Sequence, residues 1–151
     1  MVDVGDEAPD FELADQDRSR VRLSSFRGRK NVIVVFYPLS FTRTCQSELC
    51  AIRDAIADFS GESVQTLAIS VDSAAVHKQW AEQQGYTFPL LADFWPHGSV
   101  AKAYGVFDED SGLALRGTFI VDKQGIVAYQ VINAIPDARD EQEYRKVLAS
   151  L

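Results

Sequence analysis

The order of apolar and polar positions divides the chain into short, well-punctuated elements. Asn31-Val-Ile-Val-Val-Phe-Tyr37 is a continuous β-branched and aromatic run stopped by Pro38, which predicts a central strand buried on both faces. Val64 to Val71 predicts a second strand of the same kind. Between them, Leu49, Ile52, Ile56 and Phe59 recur at spacings of three and four, the pattern of one helix face, and Gly61 ends the segment. Asp72 and Ser73 can cap a further helix that runs to Gly85, with Val76 and Trp80 on one side. Upstream, Phe11 to Leu13 and Arg20 to Leu23 are strand-like pieces around the polar turn Asp15 to Ser19. Pro96 suits the first turn of a short helix, with Gly105 just past its end. Arg116 to Val121 and Ile126 to Val131 flank Asp122-Lys-Gln-Gly125, a hairpin signal, and Asp140 to Leu151 predicts a last helix.

Strand, helix, strand early in a chain demands a parallel pair with a right-handed crossover, and the later hairpin adds antiparallel strands. The expected fold class is therefore α/β: a thioredoxin-like fold with a mixed central β-sheet and helices on both faces. A length of 151 residues fits one domain, 1–151, with a single core. Composition narrows the function. Twenty-two acidic against 15 basic residues give a net charge of −7, which disfavours nucleic acid or an anionic membrane surface as partner. The acidic start is unlike a secretory signal and no apolar run approaches a membrane span, so a cytoplasmic protein is expected. With only two cysteines, in a reducing compartment, chemistry is a better reading than a structural disulfide framework.

The candidate chemistry lies in Pro38-Leu-Ser-Phe-Thr-Arg-Thr-Cys45, between the first buried strand and its helix, at the carboxyl end of a central strand where open α/β sheets tend to place ligand sites. Cys45 falls in or just before the first helical turn, where unpaired N–H groups and the helix dipole favour an anionic sulfur. Thr42 offers a hydroxyl that both donates and accepts, and Pro38 removes a competing N–H and can screen the sulfur from water. His77 and His97 have no metal-ligand spacing and read as surface or capping residues; Trp80 reads as core.

Pro38, Thr42 and Cys45 form the P-x-x-x-T-x-x-C pattern that resembles the signature of peroxiredoxins, and Arg116, in Arg-Gly-Thr-Phe-Ile-Val-Asp, is similar to the arginine that family sets beside its reactive cysteine. The likeness extends from Gly5-Asp-Glu-Ala-Pro-Asp-Phe11 to Asn133-Ala-Ile-Pro136 and Arg139. Thr87 to Gly98 and Tyr104-Gly-Val-Phe107 look most like the alkyl hydroperoxide reductase E type. The resemblance implies a peroxidase acting on hydrogen peroxide and organic hydroperoxides without metal, haem or flavin. Cys45 would be the nucleophile, Thr42 Oγ and the Cys45 N–H would hold the peroxide, Arg116 would stabilise the leaving oxygen, and Pro38 would shape the pocket. Glu48 and Arg139 match positions that orient the arginine, and Trp95 could line the pocket.

Cys50 departs from the reductase E pattern and instead resembles the resolving cysteine of the peroxiredoxin Q group. On a helical projection it points about 140° from Cys45, towards the polar flank of Arg53, Asp54 and Ala57. Three readings follow. Cys45 and Cys50 could form a disulfide reduced by a thioredoxin-like partner. The sulfenic acid of Cys45 could instead pass to a low-molecular-weight thiol and a glutaredoxin-like or mycoredoxin-like protein. Or the chain could be a redox sensor or holdase. Pairing of two copies into a homodimer, through loops near the site, is a further expectation of the resemblance.

Overall fold

The computed structural model describes residues 2–151. Its five-stranded sheet is built around β3 (Asn31–Phe36), every residue of which is buried as the unbroken apolar run requires. Parallel to it lie β4 (Val64–Ser70) and, beyond that, β5 (Leu90–Ala92). On the other side β8 (Arg116–Val121) pairs antiparallel with β3, setting Thr118 opposite Val35, and β9 (Val127–Asn133) pairs antiparallel with β8. The order is thus β5-β4-β3-β8-β9, the mixed sheet expected. Strand alternation then splits the core in two. Val32, Val34 and Phe36 face one apolar layer with Leu67, Ile69, Phe119 and Tyr104. Ile33, Val35 and Tyr37 face the other, with Leu49, Ile52, Phe59, Trp80, Ile120 and Tyr144.

That second layer is covered by α1 (Arg43–Asp54), α2 (Ile56–Phe59), α3 (Ala74–Gln84) and α5 (Glu141–Ala149). The first is covered by the hairpin of β1 (Glu12–Ala14) and β2 (Arg20–Arg22), by a single 3-10 turn at Leu23–Phe26, and by α4 (Ser99–Ala103). A two-stranded pair, β6 (Phe107–Asp108) with β7 (Leu113–Ala114), completes the fold. Helices on both faces of a mixed sheet are as the pattern implied.

Four details differ from the sequence reading. The helix carrying Leu49 to Phe59 breaks at Ala55 (φ −118°, ψ 33°), and Thr66 Oγ1 donates to the Phe59 carbonyl (2.7 Å) that the second, shorter helix leaves free. In α3, Val76 is 36% exposed, and His77 and Ala81 join Trp80 on the buried side. Pro96 stands in the turn before α4, after a cis Trp95–Pro96 bond. The helix starts because the Asp93 carboxylate accepts from the Val100 and Ala101 N–H groups (3.1 and 2.9 Å). The strands β5, β6 and β7 are two or three residues long, too short to show a periodicity. By contrast the hairpin at Asp122–Gly125 forms as read: Asp122 Oδ1 accepts from Gln124 and Ile126, and Gly125 takes the positive φ of 83° that closes it.

Candidate active site

Where β3 ends, the chain turns through Pro38 to Thr42 and enters α1. Thr42 is the N-cap residue, with extended backbone, but its side chain makes no capping bond. Its hydroxyl instead donates to the Leu39 carbonyl at 2.7 Å, which leaves the oxygen's lone pairs as acceptors. Cys45 is the third residue of α1, in the turn whose N–H groups have no intrahelical partner, and it is 0% exposed. Arg116 begins β8, so it stands at the end of the sheet where β3 gives way to this loop. Its Nη1 lies 3.1 Å from Cys45 Sγ, and its Nε donates to the Ile135 carbonyl.

One turn beyond Cys45 on the same helix face, Glu48 enters the same cluster. Its Oε1 accepts from Arg116 Nη1 (2.6 Å) and Arg139 Nη2 (2.8 Å), and its Oε2 from the Arg139 backbone N–H (2.7 Å) and Nε (2.9 Å). Arg139 Nη1 is spent on the carbonyls of Phe36 and Gly117 and on Thr118 Oγ1, which ties the cluster to the ends of β3 and β8. All three ionic side chains are 6% exposed or less. Burial by itself would raise the Glu48 carboxyl, but the hydrogen bonds and charge of Arg139, with the charge of Arg116, outweigh it and hold the group below the ordinary carboxylate range. Two guanidinium groups against one carboxylate leave one positive charge over. That charge lies against the Cys45 sulfur, through Nη1 of Arg116.

The structure therefore brings Cys45, Arg116, Glu48 and Arg139 into direct contact, with Thr42 half-buried and Pro38 buried in the adjoining loop. Cys50 is elsewhere. The helical projection turned it to a polar flank, but Gly85 (φ 74°) folds the chain back after α3 and lays Tyr86 against it. Cys50 is half-buried there, with its Sγ 3.4 Å from Tyr86 Oη and 3.7 Å from Gln84 Oε1. His77 is also corrected, since it is fully buried and bonded to Ser70, whereas His97 is exposed and its Nε2 lies 2.7 Å from the Gly112 carbonyl. Trp95 is 81% exposed and makes no part of the cysteine cluster. The sequence reading missed the Ile135 carbonyl that steers Arg116, and the pair Ser70 and Asp72 beside the Pro38 loop. The second had a signal: two oxygen-bearing residues at the carboxyl end of the strand next to β3. No group of His, Cys, Asp and Glu among the described residues could hold a metal ion, and no helix among them is long and apolar enough to cross a membrane.

A thioredoxin-like sheet that sets a buried cysteine at a helix start, against a carboxylate-anchored arginine, defines the peroxiredoxin class of thiol-dependent peroxidases. The chain belongs to the AhpC/TSA family, whose model matches residues 4–130. It is 49% identical over 151 residues to alkyl hydroperoxide reductase E of Mycobacterium tuberculosis, covering 100% of this chain and 99% of that one. Among solved structures it resembles peroxidoxin BcpB of Mycobacterium tuberculosis, with a TM-score of 0.88 at 29% identity, covering 100% of this chain and 99% of that one. The reduced 2-Cys peroxiredoxin of Plasmodium vivax gives a TM-score of 0.85 at 34% identity, over 97% of this chain and 80% of the other. The enzyme is thus a thiol-dependent peroxidase, as the motif implied.

Proposed function

We propose that Cys45 is the peroxide-reducing nucleophile and that the contact between its sulfur and Arg116 Nη1 (3.1 Å) carries the reaction. The thiolate attacks one oxygen of the hydroperoxide, the O–O bond breaks, sulfur keeps the oxygen as a sulfenic acid, and the other oxygen leaves and is protonated to an alcohol or water. Thr42 Oγ1, its own proton committed to Leu39, accepts the peroxide O–H, while the free N–H of Cys45 and the guanidinium of Arg116 stabilise the charge that grows on oxygen. Glu48 and Arg139 hold Arg116 in place, and Pro38 keeps water from the sulfur.

Cys50 then attacks the sulfenic acid, releasing water and forming a disulfide that a thioredoxin-like dithiol reduces. Residues five apart in an intact helix have Cα atoms about 8.7 Å apart, beyond the roughly 7 Å that a disulfide tolerates, so α1 must unwind in each cycle. The contacts of Cys50 with Tyr86 and Gln84 support the alternative, in which Cys50 stays parked and an external thiol reduces Cys45. The cycle needs a reducing compartment, for which the cytoplasm is the expected setting. Leu39, Phe41, Val76, Phe94 and Trp95 are exposed, and all lie on segments that follow β3, β4 or β5 at the carboxyl end of the sheet, which supports a homodimer joined beside the site. Sedimentation of a Trp95→Glu variant checks the pairing; an unchanged association state removes Trp95 from it.

Peroxide consumption by two variants tests the chemistry. Cys45→Ser abolishes it, and Cys50→Ser keeps one stoichiometric turnover. Undiminished consumption by the Cys45 variant would remove the nucleophile assignment.

A further inference from the structure

Behind the Pro38–Thr42 loop lies a chain of shielded polar groups that the peroxide step above does not use. Asp72, at the exit of β4, directs Oδ2 to the Ser40 backbone N–H (2.8 Å) and to Ser70 Oγ (2.6 Å). Ser70 Oγ is 2.7 Å from His77 Nε2, and Ser40 Oγ is 2.9 Å from Tyr37 Oη. Ser40, Ser70 and His77 are buried, and the Asp72 side chain is 9% exposed. Hydrogen-bond accounting fixes the roles. The single proton of Ser70 goes to the carboxylate, so His77 donates to Ser70 Oγ through Nε2. Near neutral pH His77 is uncharged. Burial drives it down to about 4, and the charge of Asp72 offsets this only in part.

The loop that Asp72 grips is one that needs holding. Phe41 has φ 63°, a left-handed conformation that strains a non-glycine residue and survives only where its surroundings over-determine it. Two restraints act on it: the Phe41 ring packs 5.9 Å from the Trp80 ring, and the preceding residue, Ser40, is tethered to Asp72. The turn then closes through Thr42 Oγ1 and Leu39 O. Asp72 has no other duty at this point, because α3 is capped by Ser73, whose Oγ accepts from Val76 N.

We propose that Asp72 is a positioning residue for the peroxide step: braced by Ser70 and His77, it fixes Ser40 and the strained Phe41, and so aims the acceptor lone pairs of Thr42 at the hydroperoxide. This rests on the reading of Thr42 as a peroxide-holding residue, but not on any role for Cys50.

A purely structural role and a positioning role separate by comparing two reactions of the same sulfur. Reduction of hydrogen peroxide needs Thr42 in place, whereas alkylation of Cys45 by iodoacetamide does not. In Asp72→Ala the rate constant with peroxide falls by about tenfold to a hundredfold, the scale of a misplacement of about 1 Å, while the alkylation rate stays within about twofold. Asp72→Asn keeps a carbonyl acceptor for Ser40, preserves the fold more closely than alanine, and shows the same selective loss at a smaller size. Equal falls in both reactions, or an unchanged peroxide rate in either folded variant, would overturn the proposal. Thr42→Val distinguishes a failure of the underlying reading: if it too leaves the peroxide rate unchanged, Thr42 itself holds no peroxide.

Discussion

Replacing Glu48 by Gln puts the arginine cluster under its most informative strain. The substitution keeps the shape of the side chain and one carbonyl oxygen, but sets an amide NH2 against guanidinium donors that now converge on two carboxylate oxygens. Breaking a buried, hydrogen-bonded ion pair by neutralising one partner costs about 3–5 kcal/mol, because the cations stay buried. For a chain of this size each kcal/mol moves the melting temperature by about 2–4 °C, so the variant melts about 6–20 °C lower near neutral pH. The acid side carries a second signature. Because the folded carboxyl is held below its ordinary value of 4.5, its stabilisation is present above that pH and is lost as pH falls through the lower folded value. The Gln variant lacks this loss, and the two stabilities converge in acid. Peroxide reduction also slows, since Arg116 loses its ionic anchor and keeps only neutral acceptors such as the Ile135 carbonyl. Thermal melts of the reduced proteins from neutral to acid pH, with peroxide rates beside them, are the assay. Equal melting temperatures near neutrality, or a gap that persists unchanged into acid, would refute the view that Glu48 is an ionised keystone between two arginines.

Three further outcomes follow from other parts of the molecule. Arg116→Met leaves Glu48 paired with Arg139 and should fold, yet reduce the peroxide rate constant by about a hundredfold, the usual scale for removing one oxyanion donor; a change under about twofold would exclude Arg116 from the reaction. His77→Gln should flatten stability between pH 6.5 and about 4. In the native protein the buried ring resists a proton that the unfolded chain accepts, so stability falls as pH drops through that window, by about 3 kcal/mol at about 1.4 kcal/mol per pH unit. A variant whose stability falls as steeply there would assign the slope to other groups. Hydrogen exchange on the oxidised protein should show lost protection across amides 46–52 if a Cys45–Cys50 disulfide forms; equal protection in a verified disulfide would reject unwinding of α1.

The parts of this molecule that could be read from the chain are those where a local pattern carries its own physics. The run from Asn31 to Tyr37 is apolar at every position after its first because both faces of β3 are covered, and Asp122 to Gly125 closes a turn with its own side chain. Cys45, Thr42 and Pro38 lie within one strand-to-helix turn, so their proximity was legible. Arg116, Glu48 and Arg139 could be named only through the family pattern, since they meet across separations of 68 and 91 residues that no local spacing encodes. Cys50 misled for the same reason: a helical projection gives the direction of a side chain along its own axis, not what later segments lay against it, and Tyr86 covers it. His77 was read as a surface or capping residue because it lacks a metal-ligand spacing, which says nothing of burial.

The most direct test of the central claim is peptide mass spectrometry of the reduced protein after one equivalent of hydrogen peroxide. The account predicts oxidation at Cys45, seen either as a disulfide with Cys50 or, in Cys50→Ser, as an added oxygen on Cys45 that dimedone traps. Peroxide consumed with Cys45 unmodified, or oxidation confined to Cys50, would contradict it.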